Sequence, residues 1–398
     1  MRLLVILSNY PFPPQTGSSI VAFNTLKLLS LRHQITLICP RKLGGEDEFN
    51  VLFKKVEFVT EIKVTWLIKW ITFLFRVLGG APPTTSLTFS SSMVEKVRNE
   101  VNKSEFDVIL LFEMNAIQYC PSSCFDKLAV NIEDPQSIKL HRVAKLSVLP
   151  FWRRAVYFVL GNLTSAYEKR TLHKIRTVFL LSSEDINDMH KQGGYKNLAH
   201  VPYGAEPVAS AKIRPYGDRE RVIIISGNMF HPPNVDGVLF FLVSIFPLIL
   251  RGYPSALLWI VGANPDERIA AAAENFGNQV VITGRVDDLA GYIKRATVSV
   301  CPVRLKIGVQ TKILEALSWG TPVVTTSAGN SGIGGVSGTH VWVEDDEHMM
   351  AQRVCELLCG KNWERMSTAG RKLVTEHFSW EKSTAQLEHH LETIGANS

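Results

Sequence analysis

The chain has 398 residues, of which 46% are hydrophobic and 20% are charged. This length is typical of two domains of about 150 to 200 residues each, and the composition excludes wholesale disorder because each half can bury a full core. None of the six cysteines stands in a CxxC pair, so we expect reduced structural thiols and neither a zinc site nor a disulfide framework.

The net charge of +6 is unevenly spread along the chain. Residues 1–176 carry 23 Lys and Arg against 14 Asp and Glu, a surplus of +9, and the remainder carries 20 against 23, a deficit of −3. A basic half suits an anionic partner such as a phosphorylated lipid, a membrane surface or a nucleic acid, although a plain solvated basic face would have the same balance.

Short apolar runs alternate with longer helical patterns from end to end, which is typical of parallel sheets covered on both faces. The strands predicted in the first half are 3–7, 34–38, 107–111, 128–132 and 177–181. Those predicted in the second half are 222–226, 257–261, 279–283, 297–301 and 321–325. A segment rich in Gly, Pro and charge, 204–220, separates the two sets and predicts a linker between two α/β domains.

The apolar run at 3–7 is too short for the core of a signal peptide, and no run of 18 uncharged apolar residues predicts a membrane span. We therefore expect a cytoplasmic protein. Two helical stretches, 64–78 and 149–160, combine Trp, Phe and Tyr with Lys and Arg, as helices at a membrane interface do. Buried helices, with Trp66 and Trp152 packed against the first sheet, would have the same composition.

The strongest polar pattern follows the predicted strand at 297–301. It contains Arg304, Gly308, Gln310, Lys312 and Glu315, and it predicts a glycine-containing loop that leads into a helix. Cations and amides at a helix start can neutralise a diphosphate, and a glutamate one turn further on can accept hydrogen bonds from a ribose. A surface Lys–Glu pair three residues apart is the simpler alternative.

Other loops of both halves begin where a predicted strand ends. In the second half these loops contain Gly227, Asn228 and Asn234, then Gly262, then Gly284, Arg285 and Val286. In the first half, the loop after the first strand reaches Gly17 and Ser18 at a helix start. Since ligands bind at the carboxyl ends of parallel strands, each of these loops is a candidate binding segment. No metal-ligand spacing, GxSxG or P-loop accompanies them.

Taken in order, the motifs G-N-M-x-x-x-P-N-x-D-G (227–237), I-V-G (260–262), T-G-R-V (283–286) and G-x-Q-x-K-x-L-E-A (308–316) resemble those of the retaining family-4 glycosyltransferases of the GT-B fold. The similarity is greatest to the sugar-transferase branch associated with exopolysaccharide export. It implies two Rossmann-like domains facing across a cleft: an acceptor domain at 1–203 and a donor domain at 221–376. A crossover helix at 377–398 would return to the first domain.

The resemblance implies a metal-independent, retaining transferase of the hexosyltransferase type that needs no cofactor beyond its nucleotide-sugar donor. The acceptor would be a saccharide or a lipid-linked sugar of cell-surface polysaccharide or glycoconjugate synthesis. The protein would work in the cytoplasm, at the inner face of the membrane where 64–78 and 149–160 touch it. Nucleic acid is not an expected partner.

The resemblance also assigns roles to residues. Glu315 would bind the donor ribose, residues 284–286 the base, and Lys312 and Arg304 the diphosphate, while Glu133 would contact the acceptor. An ordinary turn or helix cap would also explain the polar residues around Glu133. The predicted donor-binding residues are Gly17, Ser18, Gly227, Asn228, Asn234, Gly262, Gly284, Arg285, Val286, Gly308, Val309, Gln310, Thr311, Lys312 and Glu315.

One departure from the family pattern is Ile307, which occupies a position where many members hold the donor sugar with an acidic residue. The identity of the sugar therefore does not carry over. Two alternatives stay open: a related enzyme, such as an epimerase, that acts on a nucleotide sugar without an acceptor, and a non-catalytic partner of a transferase complex.

Overall fold

A computed structural model describes residues 1–14, 17–40, 53, 55–59 and 66–396, without the side chains of 66–69. The first part of the predicted interfacial stretch, 64–65, and the side chains of Trp66 and Lys69 lie outside these described residues. The chain forms two compact units. Unit 1 comprises Met1–His141, Val156–Gly204 and Trp380–Ser398, and unit 2 comprises Arg142–Ala155 and Ala205–Ser379.

Unit 1 is built on a seven-stranded sheet of order β3-β2-β1-β4-β5-β6-β7, in which every neighbouring pair is parallel. Its strands are β1 (Arg2–Leu7), β2 (Gln34–Pro40), β3 (Lys55–Val59), β4 (Val108–Phe112), β5 (Leu128–Glu133), β6 (Thr177–Leu180) and β7 (Leu198–His200). Its helices are α1 (Gly17–Leu29), α2 (Trp66–Leu78), α3 (Pro83–Leu87), α4 (Ser91–Lys103), α5 (Gln136–Val143), α6 (Phe151–Leu172), α7 (Ser183–Gly193) and α16 (Trp380–Ala396). The end of α5 and the start of α6 lie in the segment Arg142–Ala155, which belongs to unit 2.

Central strands of unit 1 are buried on both faces, as their uninterrupted apolar sequences predict. Leu3, Leu4, Val5 and Ile6 of β1 are all inaccessible to solvent. The order of strands reverses between β1 and β4, so the carboxyl ends of these two strands mark a topological switch point, where open α/β sheets bind ligands.

Unit 2 is built on a six-stranded parallel sheet of order β10-β9-β8-β11-β12-β13. Its strands are β8 (Glu220–Ser226), β9 (Leu257–Val261), β10 (Val280–Gly284), β11 (Ala296–Cys301), β12 (Val323–Thr325) and β13 (Trp342–Val343). Its helices are α8 (Pro232–Phe240), α9 (Phe246–Gly252), α10 (Glu267–Glu274), α11 (Leu289–Arg295), α12 (Thr311–Ser318), α13 (Ser327–Asn330), α14 (Glu347–Leu358) and α15 (Trp363–His377). Its switch point lies between β8 and β11.

All ten predicted strands are present, shifted by at most two residues at their ends. The sequence did not predict β3, β7 and β13. The edge strand β3 carries Lys55 and Glu57 and is mostly half-buried, so it lacks the apolar signature of a central strand. The other two have only three and two residues, too few for a periodic pattern.

The predicted linker contains a buried residue that ties it to unit 2. Arg219 donates hydrogen bonds to the carbonyls of Ala296 at 2.8 Å and Trp319 at 2.9 Å and to the Thr321 hydroxyl at 2.7 Å. Its guanidinium also lies 4.7 Å from the ring of Trp363. Burial lowers the pKa of Arg219 to about 10. The end of this segment is therefore part of the unit 2 core, although Gly, Pro and charge dominate its sequence.

The final helix, α16, packs in unit 1 against α1 and β4. Leu387 and Leu391 are buried there, and Glu388 accepts hydrogen bonds from Arg32 at 2.7 Å and from His33 at 2.8 Å. The helix thus supplies both apolar and charged contacts to the unit that begins the chain.

Helices α2 and α6 are not buried as a whole. On α2, Leu74, Phe75 and Leu78 are 53%, 72% and 83% exposed, and on α6 Trp152 is 61% exposed. The alternative that Trp152 packs against a sheet is therefore wrong. An interfacial helix would direct Arg76 toward lipid headgroups. Instead, Arg76 donates a hydrogen bond to Gln118 at 2.7 Å and its guanidinium lies over the ring of Phe89.

One helical stretch in the described part of the chain, Pro232–Gly252, is long and apolar enough to cross a membrane by length and composition, and half of its most apolar window is buried. It consists of α8, a π-helical turn and α9. Phe241, Leu242, Ile245 and Phe246 belong to the core of unit 2. These contacts are those of a core helix.

Candidate functional site

Three glycine turns lie side by side at the carboxyl edge of the unit 2 sheet. The Gly227 amide donates to the Val261 carbonyl at 3.0 Å, and the Gly262 amide donates to the Gly284 carbonyl at 3.0 Å. A Cβ added to Gly262 would lie 1.6 Å from the Gly227 carbonyl oxygen. Glycine is therefore required at 262 for these turns to approach one another, and the edge that they form is backbone without side chains.

Lys312 brings a cation to this edge. Its Nζ donates a hydrogen bond to Asn234 Oδ1 at 2.7 Å, and Asn234 Nδ2 donates to the Asn228 carbonyl at 2.9 Å. A Cβ added to Gly227 would lie 3.2 Å from the same Nζ. Burial removes water from the ammonium group of Lys312 and lowers its pKa. An anion bound beside this ammonium would stabilise its charge in place of the missing water.

Glu315 lies on α12 one turn after Lys312. Burial raises the pKa of its carboxyl group. Among the residues that the structure describes, none donates a hydrogen bond to this carboxylate, so its oxygens can accept hydrogen bonds from a ligand hydroxyl. The simpler alternative from the sequence, a surface Lys–Glu pair, is wrong because the ammonium of Lys312 is bonded to Asn234.

Arg304 does not lie beside Lys312 as an uncommitted second cation. Its Nε and Nη2 donate to the two carboxylate oxygens of Asp236 at 2.9 and 2.7 Å, and its guanidinium stacks 4.6 Å from the ring of Phe240. The Asp236 carboxylate is buried, which makes this two-pronged ion pair a fixed part of the unit. Only Nη1 is left out of the pair.

The loop between β11 and α12 turns at Gly308, whose φ of 47° lies in the left-handed region. Gln310 donates from Nε2 to the Ile307 carbonyl at 2.9 Å, and α12 begins at Thr311. This arrangement presents the backbone of Gly308, Val309 and Gln310 ahead of the helix start, where the helix dipole favours an anion. Ile307 itself is buried.

The remaining predicted donor residues are spread over both units. Asn228 and Arg285 are exposed and Val286 is half-buried at the carboxyl edge of unit 2. Gly17 and Ser18 begin α1 of unit 1, and Ser18 borders two cavities there. The structure thus groups the unit 2 residues 227–234, 262, 284–286 and 308–315 along a single sheet edge.

Glu133, the predicted acceptor residue, ends β5 in unit 1 with φ of 60°, a conformation that side chains rarely adopt. Its Oε1 is fully buried and has no hydrogen-bond partner among the described residues. Burial raises the pKa of Glu133 to about 8, with smaller contributions from Asp134 and Glu113. The ordinary turn that the sequence offered as an alternative is also present, because the Glu133 amide donates to Asn131 Oδ1 at 3.1 Å. That turn does not account for the buried, unpartnered Oε1, which is typical of functional sites.

Glu113 is a residue that the sequence did not single out. It follows β4 directly, also has a positive φ of 73°, and accepts a hydrogen bond from Ser8 Oγ at 2.7 Å. Its position at the end of a predicted strand was the available signal. Together with the end of β1 it borders a cavity of about 400 Å³ at the switch point of unit 1.

In the described ranges, no group of three or more His, Cys, Asp or Glu side chains could hold a metal ion.

Unit 2 is the part of the chain that matches a known family model. Residues 220–359, all in unit 2, match the family model described as glycosyl transferases group 1. A curated relative, an uncharacterised 44.6 kDa protein in the cps region of Klebsiella pneumoniae, is 24% identical over 207 residues, which are 50% of this chain. The matched part spans 52% of that relative, so the chain covers about half the length of the curated protein that it matches.

Two solved structures resemble the whole chain. A sucrose-phosphate synthase from Thermosynechococcus elongatus aligns with a TM-score of 0.70 at 17% identity and full coverage of both chains. The Anabaena protein Alr3699/HepE, in complex with UDP and glucose, aligns with a TM-score of 0.64 at 11% identity over 98% of this chain and 99% of its own. The chain therefore has the GT-B fold, with two Rossmann-like units, and its residues 220–359 are similar to the group 1 glycosyl transferases.

Proposed function

We propose that the protein is a glycosyltransferase that moves a sugar from a nucleotide-sugar donor to a saccharide or lipid-linked acceptor. The observation that carries this proposal is the buried ammonium of Lys312 against the bare backbone of Gly227, inside the domain that matches the family model. A diphosphate can approach a glycine turn closely, and a cation fixed beside that turn supplies the charge that it needs.

The donor would extend along the unit 2 edge from Lys312. Glu315, one turn along α12, would accept hydrogen bonds from the ribose hydroxyls. Burial raises the pKa of its carboxyl group because the carboxylate has lost water, and the ribose hydroxyls would replace the hydrogen bonds of that water. The base would lie against the backbone of Gly284 and Val286. Arg304 would act through Nη1, because Asp236 already holds its other two donor nitrogens.

Chemistry at this site would centre on the leaving diphosphate. The bond from the anomeric carbon to the phosphate oxygen breaks, a bond from the acceptor oxygen to the same carbon forms, and the acceptor proton passes to the departing phosphate. Lys312 and the amides ahead of α12 stabilise charge that grows on that phosphate, which lowers the barrier more than it strengthens ground-state binding. We propose retention of configuration and no need for a divalent metal.

The curated relative lies in a cps region, and this supports a role in cell-surface polysaccharide or glycoconjugate synthesis. A lipid-linked acceptor would place the protein in the cytoplasm at the inner face of a membrane. Exposed apolar side chains on α2 and α6 support such contact: Leu74, Phe75 and Leu78 on the first and Phe158 and Val159 on the second.

These two helices are linked within unit 1, since Arg170 of α6 donates a hydrogen bond to the carbonyl of Gly80, just after α2. Neither stretch, 64–78 nor 149–160, contains an acidic residue. An anionic lipid surface would therefore meet the exposed apolar side chains of these stretches with no carboxylate from within them. Each basic group near such a surface contributes about 1 kcal/mol, and Arg76, which is bonded to Gln118, is not counted among these groups.

A thermal-shift screen against UDP-, GDP-, ADP- and CMP-sugars tests the donor site, since ligands that bind the native state raise its apparent stability. We expect one nucleotide to stabilise the wild type, and Lys312→Ala and Glu315→Gln to weaken its binding roughly ten- to hundredfold. Lys372→Ala and Glu274→Gln, which alter exposed positions in unit 2, serve as matched controls. Unchanged affinity in the Lys312 and Glu315 variants would contradict the site.

The same nucleotide sugar then separates transfer from the two alternatives. Turnover that depends on added saccharide supports the transferase, and rearrangement of the nucleotide sugar without acceptor would show an epimerase. Tight nucleotide binding with no turnover on any acceptor fraction would favour a non-catalytic partner.

A further inference from the structure

The connection from β12 to β13 contains a compact turn that Asn330 closes. Its Nδ2 donates a hydrogen bond to the carbonyl of Gly335 at 2.9 Å, and its Oδ1 accepts one from the amide of the same residue at 3.0 Å. The Asn330 carbonyl also accepts hydrogen bonds from the amides of Ile333 and Gly334, both at 2.9 Å. A single asparagine therefore fixes both ends of residues 330–335, which we call the Asn330 turn.

The middle of the Asn330 turn lies directly against the backbone that precedes α12. A Cβ added to Gly332 would lie 2.6 Å from the Gly308 carbonyl oxygen and 2.9 Å from Cα of Val309. Gly332 does not have a positive φ, so the close approach of the two backbones is what requires glycine here. Both contacted atoms belong to the main chain, and no side-chain rotation could relieve the overlap.

The base of the same connection is hydrogen-bonded to the end of β11 and to the residues just after it. Thr325 Oγ1 donates to the Cys301 carbonyl at 2.9 Å, and Thr326 Oγ1 donates to the carbonyl of Val303. Both threonines are buried. The segment that runs from β11 to α12 is thus held near its start by two hydroxyls and near its end by Gly332.

The backbone ahead of α12 needs such support, because Gly308, Val309 and Gln310 belong to neither a helix nor a strand. Amides stabilise an anion best when their dipoles already point toward it, since turning them during binding would consume part of the binding free energy. The contact with the Asn330 turn restricts that motion.

We propose that Gly332 and Asn330 are positioning residues for the donor diphosphate: Gly332 supports the backbone ahead of α12, and Asn330 holds Gly332 against it. The inference rests on the proposed donor site. In that site Glu315 and residues 284–286 bind the ribose and the base. The effect of the two positioning residues would therefore be confined to the diphosphate.

A purely structural role of the Asn330 turn would have a different signature. If the turn only stabilised unit 2, its loss would lower the melting temperature and would weaken the binding of nucleosides and nucleoside diphosphates alike. A positioning role instead changes the ratio of these two affinities. Comparison of a nucleoside diphosphate with its nucleoside thus separates the two roles, even in a destabilised variant.

Saturation-transfer NMR on the full chain measures this ratio with UDP, GDP and ADP and with the corresponding nucleosides uridine, guanosine and adenosine. For the diphosphate that the wild type binds most tightly, we expect Gly332→Ala to weaken binding about tenfold and Asn330→Ala about fivefold. The affinity for the corresponding nucleoside should stay within about twofold of that of the wild type, because its contacts lie elsewhere on the sheet edge.

Two further variants serve as controls. Gly217→Ala adds a Cβ that meets open space and should bind like the wild type. Ile249→Ala removes part of a buried side chain in the unit 2 core, so it should lower the melting temperature without changing the ratio of the two affinities. Asn330→Ala adds no atom at the contact between the backbones, so it tests the proposal even if Gly332→Ala fails to fold.

Unchanged diphosphate affinity in both turn variants would overturn the proposal. Equal losses for the diphosphate and its nucleoside would also overturn it, as would the same change of ratio in Ile249→Ala. Failure of the proposed donor site is distinguishable, because the wild type itself would then bind none of the three diphosphates, and the inference would be refuted together with that site.

Discussion

The raised pKa of Glu133 predicts a pH-dependent contribution of this residue to the free energy of unfolding. An ordinary glutamate has a pKa of 4.5, whereas that of Glu133 in the folded protein is raised to about 8. Between these values the native state holds a proton that the unfolded chain releases, so stability is highest below pH 4.5 and falls as the pH rises to about 8. Replacing Glu133 by Gln removes this penalty.

The size of this stability penalty follows from the difference between the pH and the unfolded pKa of Glu133. At pH 7 the solution lies 2.5 pH units above the unfolded pKa of this carboxyl, and each unit is worth about 1.4 kcal/mol, so the penalty is at most about 3.5 kcal/mol. Water that reaches the half-buried residue reduces this penalty. Since about 1 kcal/mol shifts the melting temperature of a unit of this size by about 2 to 4 °C, Glu133→Gln should raise it by up to about 7 to 14 °C at pH 7.

Differential scanning calorimetry of the wild type and Glu133→Gln from pH 4.5 to 8.5 measures the gain directly. The difference between the two proteins should grow steadily with pH and level off near pH 8, while Glu95→Gln, at an exposed position on α4, follows the wild type throughout. A constant difference, or one that shrinks as the pH rises, would show that Glu133 titrates normally and would refute the reasoning.

Three further predictions concern unit 2, the metal requirement and the surface. Gly262→Ala should destabilise the protein by about 1 to 3 kcal/mol, because the added Cβ would clash with the Gly227 carbonyl. Gly217→Ala, whose added Cβ meets open space, should melt like the wild type. Equal melting temperatures of the two variants would contradict the close approach of these turns. Glycosyl transfer should persist in excess EDTA, and loss of activity that Mg²⁺ or Mn²⁺ restores would show a metal requirement. The wild type should sediment with anionic phosphatidylglycerol vesicles at low salt and release at high salt, and Leu74→Ser with Phe75→Ser should abolish this binding while the exposed control Val336→Ser leaves it intact.

The sequence was sufficient to predict the central strands. A run of about five apolar residues between turns is buried on both faces when it forms a strand of a parallel sheet covered by helices. It also predicted that Lys312 and Glu315 lie on one helix near a glycine loop. It could not predict the partner of Arg304, since Asp236 is 68 positions away and only the packing of α8 beside the β11 loop brings the two together.

The unit 1 site was predicted in part. Glu133 was assigned from the family resemblance and from its position after a strand. Glu113 also follows a predicted strand, but it is a single polar residue between that strand and a 3₁₀ turn, so its position was the only signal that the local sequence offered. Its importance depends on the strand order β1-β4-β5, which places the ends of three distant segments together. The burial of Arg219 was missed for the same reason, because the residues around it are remote in the sequence. The strands β3, β7 and β13 were missed because the first lacks an apolar signature and the other two are too short for a pattern.

The packing of α16 into unit 1 has a consequence for the order of events during synthesis. Unit 2 ends at Ser379, so the whole of it is synthesised before α16. Unit 1 therefore lacks Leu387, Leu391 and the Glu388 carboxylate that meets Arg32 and His33 until α16 has been made. Domains generally fold in the order in which they are synthesised. Here unit 1, most of which is synthesised first, would be the last to reach its final stability. A premature stop after Ser379 would leave unit 2 whole and would expose the apolar surface of α1 that α16 covers.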